Sequence, residues 1–175
     1  MRWDDLFEDL DARLIHARRL ERDAEVADRR DDDVASVDLL SRLLATEGDL
    51  SLQLLDGSWV DGRVRAAGPG WVLLSAGSTG RRQVLVPTAA ACAVRGLSTA
   101  SLPPSAVVLR RSLLLALRAL AAAGEGVLLR TRAGDVRGRL GRVGADHVDV
   151  VVPAGGGQSV VTVPFASLLN VTESG

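Results

Sequence analysis

The feature of this sequence that most limits its fold is an internal repetition in the last two-thirds of the chain. Four positions of the first copy return 76 residues later, and the pairs are Gly62 and Gly138, Arg63 and Arg139, Gly68 and Gly144, and Val72 and Val148. A second set returns after 77 residues, and it comprises Val86-Pro87 with Val163-Pro164 and Val94 with Val171. Because the landmarks keep their order in both copies, the sequence predicts two equivalent structural units.

Each copy predicts five short β-strands. In the first copy, Leu50, Leu52 and Leu54 alternate with polar residues, as in a strand with one buried face. Asp56-Gly57 and Ala133-Gly134 are typical of the hairpin turns that follow such a strand. The repetition and the turns together predict a β-rich C-terminal region.

A glycine recurs inside the second strand of each copy, at Gly62 and Gly138. A glycine within a strand weakens side-chain packing, so its repetition predicts a sharp bend or a close approach of another backbone segment. Pro87 and Pro164 are expected to end the fourth strand of each copy, and a fifth strand is expected to follow each of them.

The order of these motifs resembles that of the Sm-like and SH3-like small β-barrels. The resemblance is carried by a Leu-x-Leu-x-x-Gly pattern that ends at Gly57, a Gly-x-Val pattern at Gly62, a hairpin and a hydrophobic third strand, and it covers residues 50–97 and 126–172. The chain is similar in this respect to a family of duplicated small-barrel proteins with an acidic N-terminal helix, found in GC-rich bacteria. This resemblance implies an α+β fold with two tandem five-stranded barrels, each preceded by a helix.

The expected organisation has four segments. They are an acidic amphipathic helical segment over 1–48, a first barrel over 49–97, a linker with a helix over 98–125, and a second barrel over 126–172. Apolar residues at helical spacing mark the first segment, and a run of charged residues near 30–33 leaves open whether it forms one helix or two. Its apolar stripe could form a coiled-coil dimer or pack on a barrel.

Candidate interface residues lie in two places. Four lie on the apolar stripe of the N-terminal segment, and one begins the third strand in each copy. They are Leu6, Phe7, Leu10 and Leu14, with Trp71 and His147. A barrel of under 50 residues buries too little surface to be stable alone, so the barrels and helices are expected to share an interface, or the chain is expected to oligomerise through exposed strand edges.

Charge divides the chain into two parts. Residues 1–49 carry 8 arginines against 15 acidic residues, a net charge of −7, whereas residues 50–175 carry 13 arginines against 7 acidic residues, a net charge of +6. Such a division predicts that the two parts attract each other or bind separate partners of opposite charge.

The arginines of the β-rich region are candidate anion-binding or partner-binding residues. Four of them flank the Ala133-Gly134 turn, two lie in the second strand of the first copy and one ends its fifth strand, and they are Arg130, Arg132, Arg137, Arg139, Arg63, Arg65 and Arg95. The four near the turn are expected to share one outer face, where like charges across strands repel unless an anion meets them. An acidic helix, an acidic protein or nucleic-acid phosphate could meet them, and four solvated side chains are the alternative.

Residues suited to catalysis or metal binding are few. The chain has two histidines, His16 and His147, and one cysteine, Cys92, which lies in an apolar run and is expected to be buried. Asp146 and Asp149 flank His147 without a third ligand for a metal ion. We therefore expect no enzyme activity, no metal, no cofactor and no small-molecule substrate. The most apolar stretch, 106–123, contains three arginines, so we expect no membrane segment and a cytoplasmic location.

Two functional hypotheses follow. The first is a non-catalytic interaction or assembly module that forms a homo-oligomer or binds a protein partner. The second is an RNA- or DNA-binding regulator that uses the arginine-rich faces and is autoinhibited by the acidic helix. The Arg95-Gly96 pair resembles half of the RNA-binding motif of Sm-like proteins, but the loop over 66–70 lacks the asparagine of that motif.

Overall fold

The computed structural model describes residues 37–77 and 82–174. The elements described below belong to one compact unit that begins at Leu39. Leu6, Phe7, Leu10, Leu14 and the charged run near 30–33 lie outside the described residues, so the predictions for the N-terminal segment stay predictions.

Both sequence copies contain five strands with a 3-10 turn between the fourth and the fifth. The first half comprises α1 (Leu39–Leu44), β1 (Asp49–Leu54), β2 (Trp59–Gly68), β3 (Trp71–Ala76), β4 (Arg82–Pro87), a 3-10 turn (Thr88–Ala90) and β5 (Ala91–Arg95). The second half comprises α2 (Ala106–Leu109), α3 (Leu113–Ala123), β6 (Gly126–Thr131), β7 (Gly134–Val143), β8 (His147–Ala154), β9 (Gly157–Pro164), a 3-10 turn (Phe165–Ser167) and β10 (Leu168–Glu173).

The prediction of an α+β fold with two closed five-stranded barrels, each preceded by a helix, is wrong, because the described residues are mostly β-sheet with few helices. The ten strands form one open antiparallel sheet in the order β5-β1-β2-β3-β4-β10-β6-β7-β8-β9. The last strand of each half pairs with the first strand of that half, but it does not close onto the fourth. Instead β10 pairs with β4, with Val171 opposite Leu85 and Thr172 opposite Val84. The second half thus satisfies the hydrogen bonds at the edge of β4, and neither half has to close on itself.

Each half contributes apolar side chains to the core of the other. Trp71 and Leu85 of the first half pack into the cluster that contains Leu117 and Val150 of the second. Conversely, Leu169 of β10 packs into the cluster of the first half. The junction of β4 and β10 is therefore part of both cores.

The linker contains two helices where the sequence predicted a single helix within 98–125. Ser112 caps α3 by accepting a hydrogen bond from the backbone of Leu115. The carbonyl oxygen of Arg111 accepts a hydrogen bond of 2.6 Å from the indole Nε1 of Trp71. Since this carbonyl bonds to Trp71, the chain turns at 110–112 and a second helix begins.

The close backbone approach predicted at the repeated glycine is confirmed. A Cβ added at Gly62 would lie 2.5 Å from the carbonyl oxygen of Ser75. A Cβ at Gly138 would overlap the carbonyl oxygen of Val151 in the same way. Both glycines therefore let the second and third strands of each half lie against each other where a side chain would collide.

Candidate functional site

The most accessible strand of the sheet is β9, at the end formed by the second half. It pairs with β8 along all eight residues, from Ala154 opposite Gly157 to His147 opposite Pro164, without a bulge. In the described part of the chain no strand lies along its other side. Its outer row of backbone groups is thus available to a further strand.

The side chains of β9 carry no charge. Val160 is 60% exposed and Val161 is 37% exposed, and they rank among the exposed large hydrophobic residues of the described chain. Val160 lies opposite Val151, which lies opposite Arg139. Opposite residues share a face of a sheet, so Val160 belongs to the outer face, and Val161, opposite the buried Val150, belongs to the inner one.

The edge of β9 lacks the usual means of protection. Natural edge strands are commonly kept from pairing by charged residues, a central proline, a bulge or short length. The eight residues Gly157–Pro164 include no charged residue, and their proline comes at the last position. This strand therefore has the properties of a site for strand addition.

A cleft of about 600 Å³ lies beside β9 on the second half. Arg137 and Arg139 of β7 line it together with Pro153, Gln158 and Ser174. Both arginines are exposed, and they lie opposite Leu128 and Gly126 of β6. Of the four arginines predicted around the turn, the structure places these two side by side.

The other two arginines of that group lie apart from this cleft. Arg130 lies opposite Asp135 rather than opposite another arginine, and its Nε is 3.3 Å from Oδ2 of Asp56 in the first half. Arg132 is exposed in the turn after β6, where its backbone N–H donates to the carbonyl of Ser167. The repulsion across strands that the sequence suggested is therefore absent at Arg130.

Asp56 links the two halves by an ion pair. Its carboxylate accepts hydrogen bonds from the hydroxyl and the backbone N–H of Ser58, at 2.6 and 3.0 Å. These bonds, with a smaller contribution from the guanidinium of Arg130, hold the pKa of Asp56 below its ordinary value.

Arg63 and Arg95 of the first half each contact another side chain of that half. Nε of Arg63 is 2.8 Å from Oδ1 of Asp49, and both side chains are exposed. The guanidinium of Arg95 lies 4.2 Å from the centre of the Trp59 ring, a cation–π distance. Arg65 is exposed on β2. The structure therefore does not gather these three with Arg137 and Arg139.

A second cleft of about 550 Å³ lies at the junction of the halves. Its polar lining includes Arg82, Arg130, Asp61, Asn170 and Thr172. Thr172 is 4% exposed, and its buried hydroxyl has no hydrogen-bond partner among the described residues. Cationic and anionic groups are mixed here, so the cleft does not favour a ligand of one charge.

Trp71 and His147 occupy matching positions but have different surroundings. Trp71 is 6% exposed and packs between the halves, whereas the side chain of His147 is 39% exposed. Nδ1 of His147 lies 2.8 Å from Oδ1 of Asp146, and this hydrogen bond lowers the pKa of Asp146. The buried Trp71 thus joins the halves, and His147 lies on an outer surface.

Groups suited to metal chemistry do not gather in the described residues, where no cluster of three His, Cys, Asp or Glu side chains occurs. Cys92 is exposed, which contradicts the expectation that it is buried. Its strand β5 is the other edge of the sheet, and nothing described covers it there. Among the described helices, none is long and apolar enough to cross a membrane.

The sequence predicted exposed strand edges in general but not that β9 is one of them, because this segment was expected to be an ordinary fourth strand. An uncharged run of strand-forming residues at 157–164 was the available signal. Whether such a run lies inside a sheet or at its edge depends on strand order, and the pattern of one chain segment does not contain that information.

Compared with known proteins, the chain matches no protein-family model and no curated protein, so no family is assigned to it.

Proposed function

We propose that this protein is a non-catalytic assembly module that binds another protein chain by strand addition at β9. The observation that carries the proposal is the long, uncharged edge at Gly157–Pro164, which no strand of residues 37–77 or 82–174 pairs on its outer side. Added strands gain affinity from main-chain hydrogen bonds, and the exposed Val160 and Val161 supply apolar contacts.

The rest of the sheet supports this role by holding the edge rigid. β8 and β9 share eight residue pairs in uninterrupted register, and β8 rests through Val148 and Val150 on the core of the second half. A preformed edge loses little conformational entropy when a strand is added, which favours binding.

A charge on the edge tests the proposal. Val160→Lys keeps the fold because the side chain is on the surface, but a lysine there disfavours pairing. The matched control is Val107→Lys, since Val107 is also 60% exposed and its helix α2 contacts β2 of the first half.

Each full-length variant is used as bait, and hydrogen exchange of the β9 amides is measured in the isolated protein and in any complex obtained. We expect the β9 amides to exchange more slowly in the complex than in the isolated protein. The Val160→Lys variant should fail to form the complex, and the Val107→Lys variant should still form it. A complex that forms equally well with Val160→Lys, or that leaves the β9 amides unprotected, would contradict the proposal.

A second candidate function, nucleic-acid binding, is supported only by the adjacent Arg137 and Arg139. Two arginines on the phosphate groups of a single strand would give a shallow salt dependence, with a slope of about −1.4 in a plot of log affinity against log salt. Titration of a labelled single-stranded oligonucleotide against the full chain and an Arg137→Ala/Arg139→Ala variant measures this slope. Equal, negligible binding by both proteins would remove this candidate.

A further inference from the structure

We propose that the partner strand at β9 is β9 of a second copy of this chain, paired antiparallel about a two-fold axis at Val160. This inference rests on the proposed function and names the partner that the edge binds. It makes the protein a symmetric dimer in which two ten-stranded sheets join into one.

The composition of β9 is compatible with pairing to itself. A two-fold axis places the same strand on both sides, so a charged residue at the axis would face its own copy and therefore a like charge. Gly157–Pro164 contains none. With the axis at Val160, Gln158 lies opposite Thr162 of the partner, and both side chains can form hydrogen bonds.

The axis is placed at Val160 by two observations. Val160 is the most exposed apolar residue of β9, so facing its own copy removes the most apolar surface from water. This axis also pairs residues 157–163 of the two copies and leaves out Pro164, which has no N–H to donate. An axis at Val161 would bring Pro164 into the ladder instead.

In a head-to-tail arrangement, β9 would pair with β5 of the next copy. The residues that the second half presents beside β9 disfavour this arrangement. Within the chain, the first half packs on the second through Trp71, Leu73 and Leu85. At the matching positions the second half has His147, Asp149 and Thr162, and the Thr162 hydroxyl donates a 2.7 Å hydrogen bond to Asp149.

The apolar surface that joins the halves is therefore not repeated at the outer end of the sheet. In addition, β5 has five residues and ends in Arg95, so it offers a shorter and charged edge. The polar positions at the outer end of the sheet therefore disfavour continuation of the head-to-tail repeat.

Two-fold pairing closes after two chains. The contact consists of one strand pair and the valines beside it, which is small for a protein interface, so the dimer is expected to dissociate on dilution. Sedimentation of the full chain should show a monomer–dimer equilibrium without larger species.

Single-cysteine variants test the register directly. Cys92→Ser provides a background without the native thiol, and Val160→Cys, Gln158→Cys and Thr162→Cys are made on it in the full chain. In the proposed register two Val160→Cys residues face each other at a Cα distance of about 4.5–5.5 Å, which permits a disulfide. Two Thr162→Cys residues would lie about 13 Å apart, which does not.

With mild oxidation we expect Val160→Cys to form a covalent dimer, Thr162→Cys alone to stay monomeric, and a mixture of Gln158→Cys and Thr162→Cys to form the mixed dimer. Cross-linking of Thr162→Cys alone that matches Val160→Cys would overturn the register, and so would a mixture that fails to cross-link.

The two proposals fail differently. If Val160→Lys abolishes binding of a different protein while Val160→Cys does not cross-link, the edge serves another partner, and the dimer is wrong but the assembly function stands. If neither substitution affects any association, both proposals are wrong.

Discussion

At the scale of single residues, the repeated glycine was the most informative position of the sequence. Gly62 and Gly138 predicted a sharp bend or a close backbone approach, because a glycine inside a strand has few other uses. The structure confirms the close approach at Ser75 and Val151. Cys92 shows the opposite case, since an apolar run predicted burial and the residue is exposed at an edge.

Gly138→Ala is therefore expected to destabilise the protein. The new methyl group would collide with the backbone of Val151 and with Cγ1 of Val150, 2.9 Å away, and the strands would have to move apart. Overpacking of this kind costs about 1–3 kcal/mol in unfolding free energy, which urea denaturation measures. Gly155→Ala is the control, because a Cβ there meets nothing within 4 Å. Equal midpoints for the two variants would refute the steric role of Gly138.

The Asp56 carboxylate is expected to make stability depend on pH. Its pKa is lowered in the folded protein, chiefly by the hydroxyl of Ser58, so its contribution is present above the ordinary value of 3.8. That contribution is lost as the pH falls through the lower, folded-state pKa. Because the pair lies near the surface, the loss is at most about 1 kcal/mol.

Denaturation between pH 6 and pH 3 tests this in two variants. Asp56→Asn and Ser58→Ala should both lose less stability on acidification than the wild type, since one lacks the carboxylate and the other its main hydrogen-bond donor. Ser101→Ala, an exposed position in a loop, should keep the wild-type pH dependence. A steeper acid loss in Ser58→Ala would show that the sign of the effect is wrong.

At the scale of elements, the strands were predictable and the linker helix only in part. Period-two alternation and turn residues are local signals, and they located β1, its hairpin and the fifth strand of each half. At the division of the linker into α2 and α3, the Arg111 carbonyl accepts a hydrogen bond from Trp71, 40 residues away in sequence. Such a contact leaves no mark in the helical period of the linker itself.

The Ser112 cap, which begins α3, makes a measurable contribution to the free energy of unfolding. Ser112→Ala removes the side chain that accepts from the Leu115 backbone, so we expect a loss of about 0.5–1 kcal/mol in unfolding free energy. Ser105→Ala removes the corresponding cap of α2, a helix of four residues, and should cost less. If Ser105→Ala lowers the unfolding free energy as much as Ser112→Ala does, the cap of α3 contributes no more to stability than the cap of α2.

At the scale of the whole molecule, the order of strands could not be predicted. The resemblance to small barrels rested on motifs within each half, and these motifs do not determine which strand covers the edge of β4. The strand that does so, β10, lies at the far end of the chain, and its pairing with β4 depends on contacts such as that between Leu85 and Val171. The candidate site could not be predicted for the same reason. β10 pairs with β4 and β6 rather than with β9, and β9 is therefore left at the edge of the sheet.

The shared cores predict that the two halves unfold together. Leu85 belongs to the first half and packs in the core of the second, so Leu85→Ala leaves a cavity in one half and removes a contact made by the other. We expect the unfolding free energy to fall by about 2–5 kcal/mol. Native-state hydrogen exchange should show the same decrease for the slowest amides of both halves, because a single cooperative unit has one global unfolding free energy. Leu55→Ala, at an exposed position, should leave the exchange of the slowest amides unchanged in both halves. A decrease confined to β6–β10 would mean that the halves unfold independently, and the pairing of β4 with β10 would then be an association of two separate units rather than a common core.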